Sequence, residues 1–229
     1  MKKSKGNTQK GKNFKIKVTK SGPYLVSGSI PLSDQIIRID NKGECHGWKA
    51  GKEYPVSESY ALCRCGHSKN KPFCDSTHSK TKFDGTEETA NKPYMEQSIE
   101  TNGPGLKLTD AKGFCASARF CHRDGGTWKL TEQSSDPDAR QKAIEEACDC
   151  PSGRLVVWDK KNKPIEPNFE PSIGIVEDAQ EKKSGPIWVR GGIPIESEDG
   201  IIYEIRNRVT LCRCGKSSNK PFCDGNHLK

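Results

Sequence analysis

Two short stretches of this 229-residue chain carry the same four donors at the same spacing. Cys63-x-Cys65-x8-Cys74-x3-His78 recurs as Cys212-x-Cys214-x8-Cys223-x3-His227. Each stretch supplies three thiolates and one imidazole, a set that both zinc and iron accept. Zinc's usual knuckle puts two residues between its cysteines so that the chain can turn round one tetrahedral ion. That knuckle is missing here. A two-iron centre offers two metal atoms, so cysteines one residue apart can share one iron while the later Cys and His take the other. The spacing fits the second arrangement better. Disulfides suit it poorly, because neighbours one residue apart rarely meet the geometry of an S–S bond. The eleven cysteines are also odd in number, in a chain with no export signal.

The duplication extends beyond the donors. Leu62-Cys63-Arg64-Cys65-Gly66 and Asn70-Lys71-Pro72-Phe73-Cys74-Asp75 return as Leu211-Cys212-Arg213-Cys214-Gly215 and Asn219-Lys220-Pro221-Phe222-Cys223-Asp224. Upstream, Ser21-Gly22-Pro23-Tyr24-Leu25-Val26 through Ile30-Pro31-Leu32 is echoed by Ser184-Gly185-Pro186-Ile187-Trp188-Val189 through Ile193-Pro194-Ile195. The repeated unit is therefore a scaffold together with its ligand loop.

These residues resemble the mitoNEET-like CDGSH iron-sulfur domain family, whose motif runs C-x-C-x2-[ST]-x3-P-x-C-D-G-[STA]-H. The first copy supplies Cys63, Cys65, Ser68, Pro72, Cys74, Asp75 and His78, with Ser76 at the family's Gly position; the second supplies Cys212, Cys214, Ser217, Pro221, Cys223, Asp224, Gly225 and His227, with Asn226 at a small-residue position. The resemblance implies one [2Fe-2S] cluster per motif, held by three Cys and one His. It also implies assembly: single-motif members are homodimers, so two motifs in one chain imply a monomer with internal pseudo-two-fold symmetry. If the Gly position requires a positive φ, Ser76 adds strain of about 1 kcal/mol and makes the first site the weaker holder.

Around the ligands, Asp75 and Asp224 are placed to accept backbone N–H groups and fix the turns that present His78 and His227. The start of each following helix would favour the thiolate charge. Arg64, Arg213, Lys71 and Lys220 read equally as cluster-tuning charges or solvated surface. Pro72-Phe73 and Pro221-Phe222 read as shields. His46, His67 and His122 lack the repeated spacing and read as surface or structural residues, and Cys45 as a packed or free thiol.

Four cysteines remain. Cys115-x5-Cys121 precedes a helix signal and Cys148-x-Cys150-Pro151-Ser152-Gly153 follows it, so a helix folded back brings the pairs together. The Cys-Pro ending is ferredoxin-like, and residues 93–172 resemble the divergent single-cluster ferredoxin domain. This implies a third iron-sulfur cluster on Cys115, Cys121, Cys148 and Cys150, with its nuclearity open; structural cysteines or zinc are the alternative.

The elements that must position these groups are short. Phe14 to Val18, Tyr24 to Ser27, Gln35 to Ile39, Ile187 to Arg190 and Ile201 to Ile205 read as strands separated by Gly and Pro signals. Asp136-Pro137-Asp138 caps a helix ending near Cys148, and Arg154 to Trp158 reads as a strand. The fold class expected is α+β and β-rich, with two small CDGSH-type units as an internal pseudo-dimer and a small ferredoxin-like insert. The boundaries are a basic tail at 1–13, a first unit at 14–92, the insert at 93–172 and a second unit at 173–229.

Composition limits the function. The apolar share with glycine is roughly 38%, below the usual 45 to 50%, so the core is thin. The formal charge of +8 resides wholly in the first 20 residues, where eight lysines meet no acid. The remainder is neutral, which argues against nucleic acid. The tail reads as a solvated arm with no function assigned and as a poor transit peptide. No apolar run spans a membrane, so the expectation is a cytoplasmic protein. No triad, phosphate loop or dinucleotide fingerprint appears, which makes a non-enzyme without catalytic residues the expectation. It would transfer single electrons, sense redox state or deliver clusters or iron to a protein acceptor. A zinc-stabilised interaction module and an electron-supplying subunit of an enzyme are the alternatives.

Overall fold

The computed structural model describes residues 13–229, so the expected basic tail lies almost wholly outside the described residues. Thirteen strands follow in chain order: β1 Lys15–Val18, β2 Tyr24–Ser27, β3 Leu32–Ile39, β4 Cys45–Tyr54, β5 Ser59–Leu62, β6 Ile99–Asn102, β7 Lys107–Asp110, β8 Leu155–Trp158, β9 Pro164–Ile165, β10 Ser172–Asp178, β11 Lys183–Arg190, β12 Ile195–Glu196 and β13 Arg208–Leu211. The helices are α1 Thr77–Lys80, α2 Thr127–Glu132 and α3 Pro137–Asp149. The fold is α+β and β-rich, with three small sheets ordered β12-β1-β2-β5, β13-β11-β10-β3-β4 and β6-β7-β8-β9. No helix among the described residues is long and apolar enough to cross a membrane.

The two copies interlock by exchanging a strand. β12 of the second copy lies parallel to β1 of the first, with Ile16 opposite Ile195. β3 of the first lies parallel to β10 of the second, with Ile173 opposite Leu32. Since Leu32 and Ile195 are equivalent in the repeat, the seams are related by a pseudo-two-fold. Each is entered by the same bond: Ile16 N donates to Pro194 O at 2.9 Å and Ile173 N to Pro31 O at 2.8 Å. One core serves both copies, with Ile16, Val26, Ile30 and Leu62 packed among Ile173, Val189, Ile193 and Leu211. Removing this apolar surface from water is worth roughly 25 cal/mol per Å², so neither copy is an independent body.

The central sheet β6 to β9 packs α2 and α3 on a smaller core of Leu106, Leu108, Leu130, Ala143, Leu155 and Val157. α3 begins where its sequence places it: Asp136 accepts from Asp138 N at 2.7 Å and Ala139 N at 3.3 Å, with Pro137 in the first turn.

One expected strand needs correction, and one observed strand has no counterpart among those expected. Ile201 to Ile205 is not a strand: only an isolated bridge from Ile202 to Glu196 forms there, and Ile201, Ile202 and Ile205 are exposed. Conversely β4 is ten residues long although its charged, glycine-containing sequence hides it; it pairs with β3 alone at the sheet edge, where polar residues are tolerated.

Candidate metal centres

Each ligand loop leaves the last strand of its copy. Cys63 N donates to Pro72 O at 2.8 Å and Cys74 N to Ala61 O at 2.9 Å; Cys212 N to Pro221 O and Cys223 N to Thr210 O match them at 2.8 and 2.9 Å. Ser68 Oγ donates to Phe73 O at 2.7 Å, as Ser217 Oγ does to Phe222 O at 2.6 Å. Gly66 and Gly215 sit at φ 82° and 77°, each so near the other loop that a Cβ would fall 2.8 Å from the carbonyl oxygen of Cys214 or Cys65. Glycine is required at both positions.

This scaffold draws the donors into pairs. Cys63 Sγ lies 3.8 Å from Cys65 Sγ, and Cys74 Sγ lies 3.4 Å from His78 Nδ1. In the second loop, Cys212 and Cys214 are 3.8 Å apart, and Cys223 Sγ is 3.6 Å from His227 Nδ1. Among the described residues no three His, Cys, Asp or Glu side chains gather round one point that would hold a single ion. Two donors plus two donors is the division a two-iron centre requires.

The backbone favours thiolates at both sites. His67 N points at Cys65 Sγ at 3.4 Å, Ser76 N at Cys74 Sγ at 3.4 Å and Gly225 N at Cys223 Sγ at 3.5 Å. Such bonds to ligating sulfur are one way a protein sets a cluster's properties. Burial pushes the Cys223 thiol up; burial and then the nearby Arg213 hold His227 below the ordinary imidazole value.

The aspartates act differently from simple helix caps. Asp75 Oδ1 accepts from Thr77 N at 3.0 Å, while Oδ2 accepts from Lys69 N at 2.8 Å, and those backbone bonds, first that from Lys69, hold its carboxyl far below the usual range. Asp224 accepts from Asn226 N and Ser218 N at 3.1 and 2.8 Å. Each ties the His turn back to the loop's other arm. The turns themselves are only α1, of four residues, and a 3-10 turn at Asn226–Leu228, too short for a sizeable dipole. Ser76 adopts φ 67° where Gly225 adopts 85°, so the position does require the left-handed conformation.

The arginines inside the motifs are not solvated surface. Arg64 is buried, donating to Thr19 O at 2.9 Å and to Gly85 O. Arg213 is buried against Glu177 at 2.7 Å and Gly185 O at 3.0 Å. Both are anchors of the loops. Lys71 is exposed, and Lys220 Nζ donates to Ser217 O at 2.9 Å. Cys45 is buried beside Ile37, Phe120 and Trp188, away from any donor set.

In the central unit Cys115, Cys121 and Cys150 line one small pocket, with Ser117, Ser152 and Arg154 also on its wall. Burial first, and then Cys150, pushes the Cys121 thiol up to about 12. Cys148 does not line this pocket. It sits in the last turn of α3 with its Sγ 3.7 Å from Ile165 O. Successive helical residues are turned by about 100°, so residues two apart face nearly opposite ways. The folded-back helix thus brings Cys150, not Cys148, to the Cys115-Cys121 pair.

Two groups that support the sites gave no motif signal. Arg208 on β13 is buried and donates to Cys150 O and Ala147 O, both at 2.8 Å, and to Leu155 O at 3.0 Å, while pairing with Glu166. Tyr24 Oη lies 2.9 and 3.0 Å from the carbonyls of Cys212 and Pro221. The one available clue was a charged residue, Arg208, heading the short run Val209-Thr210-Leu211 where the first copy has Ser59.

Fold and donor sets together define a class, proteins built on cysteine-rich loops whose donors can hold metal. The profile of the family described as iron-binding zinc finger, CDGSH type, matches residues 21–79 and again 184–228, and that of the divergent 4Fe-4S mono-cluster family matches residues 101–160. The chain therefore carries two CDGSH-type units with a divergent mono-cluster unit between them, and it binds iron-sulfur centres. A comparison with curated proteins found no match.

Proposed function

We propose that this chain holds a [2Fe-2S] cluster on Cys63, Cys65, Cys74 and His78, a second on Cys212, Cys214, Cys223 and His227, and a third cluster on Cys115, Cys121 and Cys150. It acts in one-electron transfer, redox sensing or cluster delivery toward a protein acceptor, as a cytoplasmic monomer and not as a catalyst. The observation that carries this reading is the two-by-two pairing of donors, Cys with Cys at 3.8 Å and Cys with His at 3.4 and 3.6 Å. A bound binuclear cluster supplies one-electron chemistry. The chain's own part is to hold the donors in register, direct N–H groups at the sulfurs and exclude water from the buried cysteines. The strand exchange supports a monomer, because it satisfies inside one chain the edges that a single-motif subunit would offer to a partner.

The histidines provide the test. Three thiolates and one neutral imidazole leave an oxidised binuclear core about one unit less negative than four thiolates do, so the potentials are expected above the roughly −400 mV of plant-type ferredoxins. A proton competes with the metal for imidazole, so mild acid is expected to release the clusters. In His78→Cys and His227→Cys a thiolate replaces the protonatable donor: voltammetry is expected to show a lower potential at the altered site, and visible absorbance at mildly acidic pH a slower decay. Unchanged potentials and unchanged decay in both variants would rule the histidines out as ligands.

A further inference from the structure

The two ligand loops share their backbone bonds but not their surroundings. The second is covered by the segment of the central unit that carries Cys115. Phe222 meets Phe114 edge to face with ring centroids 5.2 Å apart, and Asn219 Nδ2 donates to Gly113 O at 3.0 Å. Gly225 lies so close that a Cβ on it would fall 2.2 Å from Ser117 Oγ. Farther along the segment, Arg119 grips Asp178 of β10 with two bonds of 2.7 and 3.1 Å. Phe222, Cys223 and Gly225 are buried as a result.

No such cover reaches the first loop. Phe73 and Cys74 are half-buried, and Asp75 and Ser76 are exposed. Phe73 meets Tyr54 and Tyr60 of its own copy at 5.9 and 6.1 Å. Tyr24, which tethers Cys212 O and Pro221 O of the second loop, is replaced in the repeat by Ile187, which has no hydroxyl with which to tether the first.

Freeing a ligand pair requires the Cys-x3-His turn to swing away from the loop. Local opening is easiest where few buried contacts must break. At His78 the moving turn leaves mainly water-exposed surface; at His227 it must first part from Ser117, which closes on Gly225, while the loop arm behind it is pinned by Phe114 on Phe222 and by Gly113 O on Asn219. We infer that the two CDGSH-type sites have different roles: the second is a retained centre, clamped by residues 113–119, and the first, Cys63, Cys65, Cys74 and His78, is the exchange site from which iron and sulfide are handed on. This rests on the iron-sulfur reading above. In the exchange these four side chains would give up their bonds to iron as an acceptor's own donors take their place, and the protons released by the acceptor's thiols would pass through water to the freed thiolates; no electron changes hands.

The test uses the purified holoprotein with excess EDTA at neutral pH, following bound iron and visible absorbance. Loss from the CDGSH-type sites is expected in two phases separated by at least about tenfold in rate. Cys74→Ser should remove the fast phase and Cys223→Ser the slow one. Gly225→Ser, which sets a side chain against Ser117, should speed the slow phase, and Ser117→Gly in the same chain should slow it again. Amide hydrogen exchange of the metal-free protein gives a second reading, with residues 219–227 expected to exchange more slowly than 70–78. A single phase for both sites, loss of the fast phase in Cys223→Ser, or equal exchange of the two loops would overturn the inference. A chain without acid-labile sulfide would overturn the iron-sulfur reading instead, while the exchange comparison would still decide whether the clamp exists.

Discussion

The two copies of the duplicated unit differ least where the ligands are and most where neither copy touches the ligands. Their loops agree to 0.1 Å in equivalent hydrogen bonds, including those of Cys63 N with Cys212 N, Cys74 N with Cys223 N and Ser68 Oγ with Ser217 Oγ. Their flanks do not agree. Where the second copy has Arg208 reaching into the central unit, the first has Ser59; where it has Glu196 gripping Lys15 and Lys17 at 2.8 and 3.0 Å, the first has Ser33. Duplication thus preserved the donor geometry, and later differences accumulated in what each loop is packed against. The central unit meets the second copy through Arg208, Arg119 and Phe114, and the first through different residues, Arg123 donating to Cys45 O at 3.0 Å and Trp48 Nε1 to Asp149 O at 3.2 Å.

The largest effect expected is all-or-none. Cys121→Ser should strip the central unit of its iron and leave the absorption of both CDGSH-type sites intact, because their donors lie in separate loops. Cys148→Ser should leave all three in place. Iron loss on Cys148→Ser equal to that on Cys121→Ser would show that the helix turns its last cysteine inward after all and would erase the contrast between locally built and distantly assembled sites.

That contrast also explains what could be read from the residues. The CDGSH-type ligands fall within 16 consecutive positions, so spacing alone reveals them. Helix α3 and strand β8 were equally legible, the first through Asp136-Pro137 and the second through an unbroken apolar run. Choosing between Cys148 and Cys150 was not possible from spacing, because it depends on where α3 stops: Cys148 is still helical, Cys150 is the residue beyond. Nor was β4 legible, since an edge strand needs no apolar face, and Ile201 to Ile205 misled because an apolar run without a neighbour of sufficient length does not become a strand. The buried roles of Arg64, Arg213 and Arg208 depend on partners 21 to 61 residues away, which no local pattern encodes.

A smaller but still large effect should follow from cutting the link itself. Arg208→Ala leaves three carbonyls and the Glu166 carboxylate without their buried partner, and losses of this kind run to about 3 to 5 kcal/mol. Ser59→Ala at the equivalent position of the first copy should stay within about 0.5 kcal/mol. Denaturant melts of the two variants would measure this; equal losses would mean that the copies are supported alike.

The smallest effect lies at the strand-exchange seam. Bonds from Lys15 and then Lys17 hold the Glu196 carboxyl below its ordinary value of 4.5. A lowered carboxyl pKa stabilises the fold above the unfolded value, and the contribution disappears as pH falls through the folded one. Glu196→Gln should therefore be slightly less stable than the parent at neutral pH, with the difference closing below about pH 4.5. Glu196 is half-buried but its two lysine partners reach solvent, so salt should shrink the difference as well. A difference that grew on acidification would contradict the assignment.

The central claim is that these cysteine loops carry iron with inorganic sulfide, and one assay addresses it directly. Metal and acid-labile sulfide counted on the purified chain should give at least about four irons and four sulfides from the two CDGSH-type sites alone, with more if the central site is filled. Such a protein is red-brown. Stoichiometric zinc with negligible sulfide in a colourless protein would contradict the account.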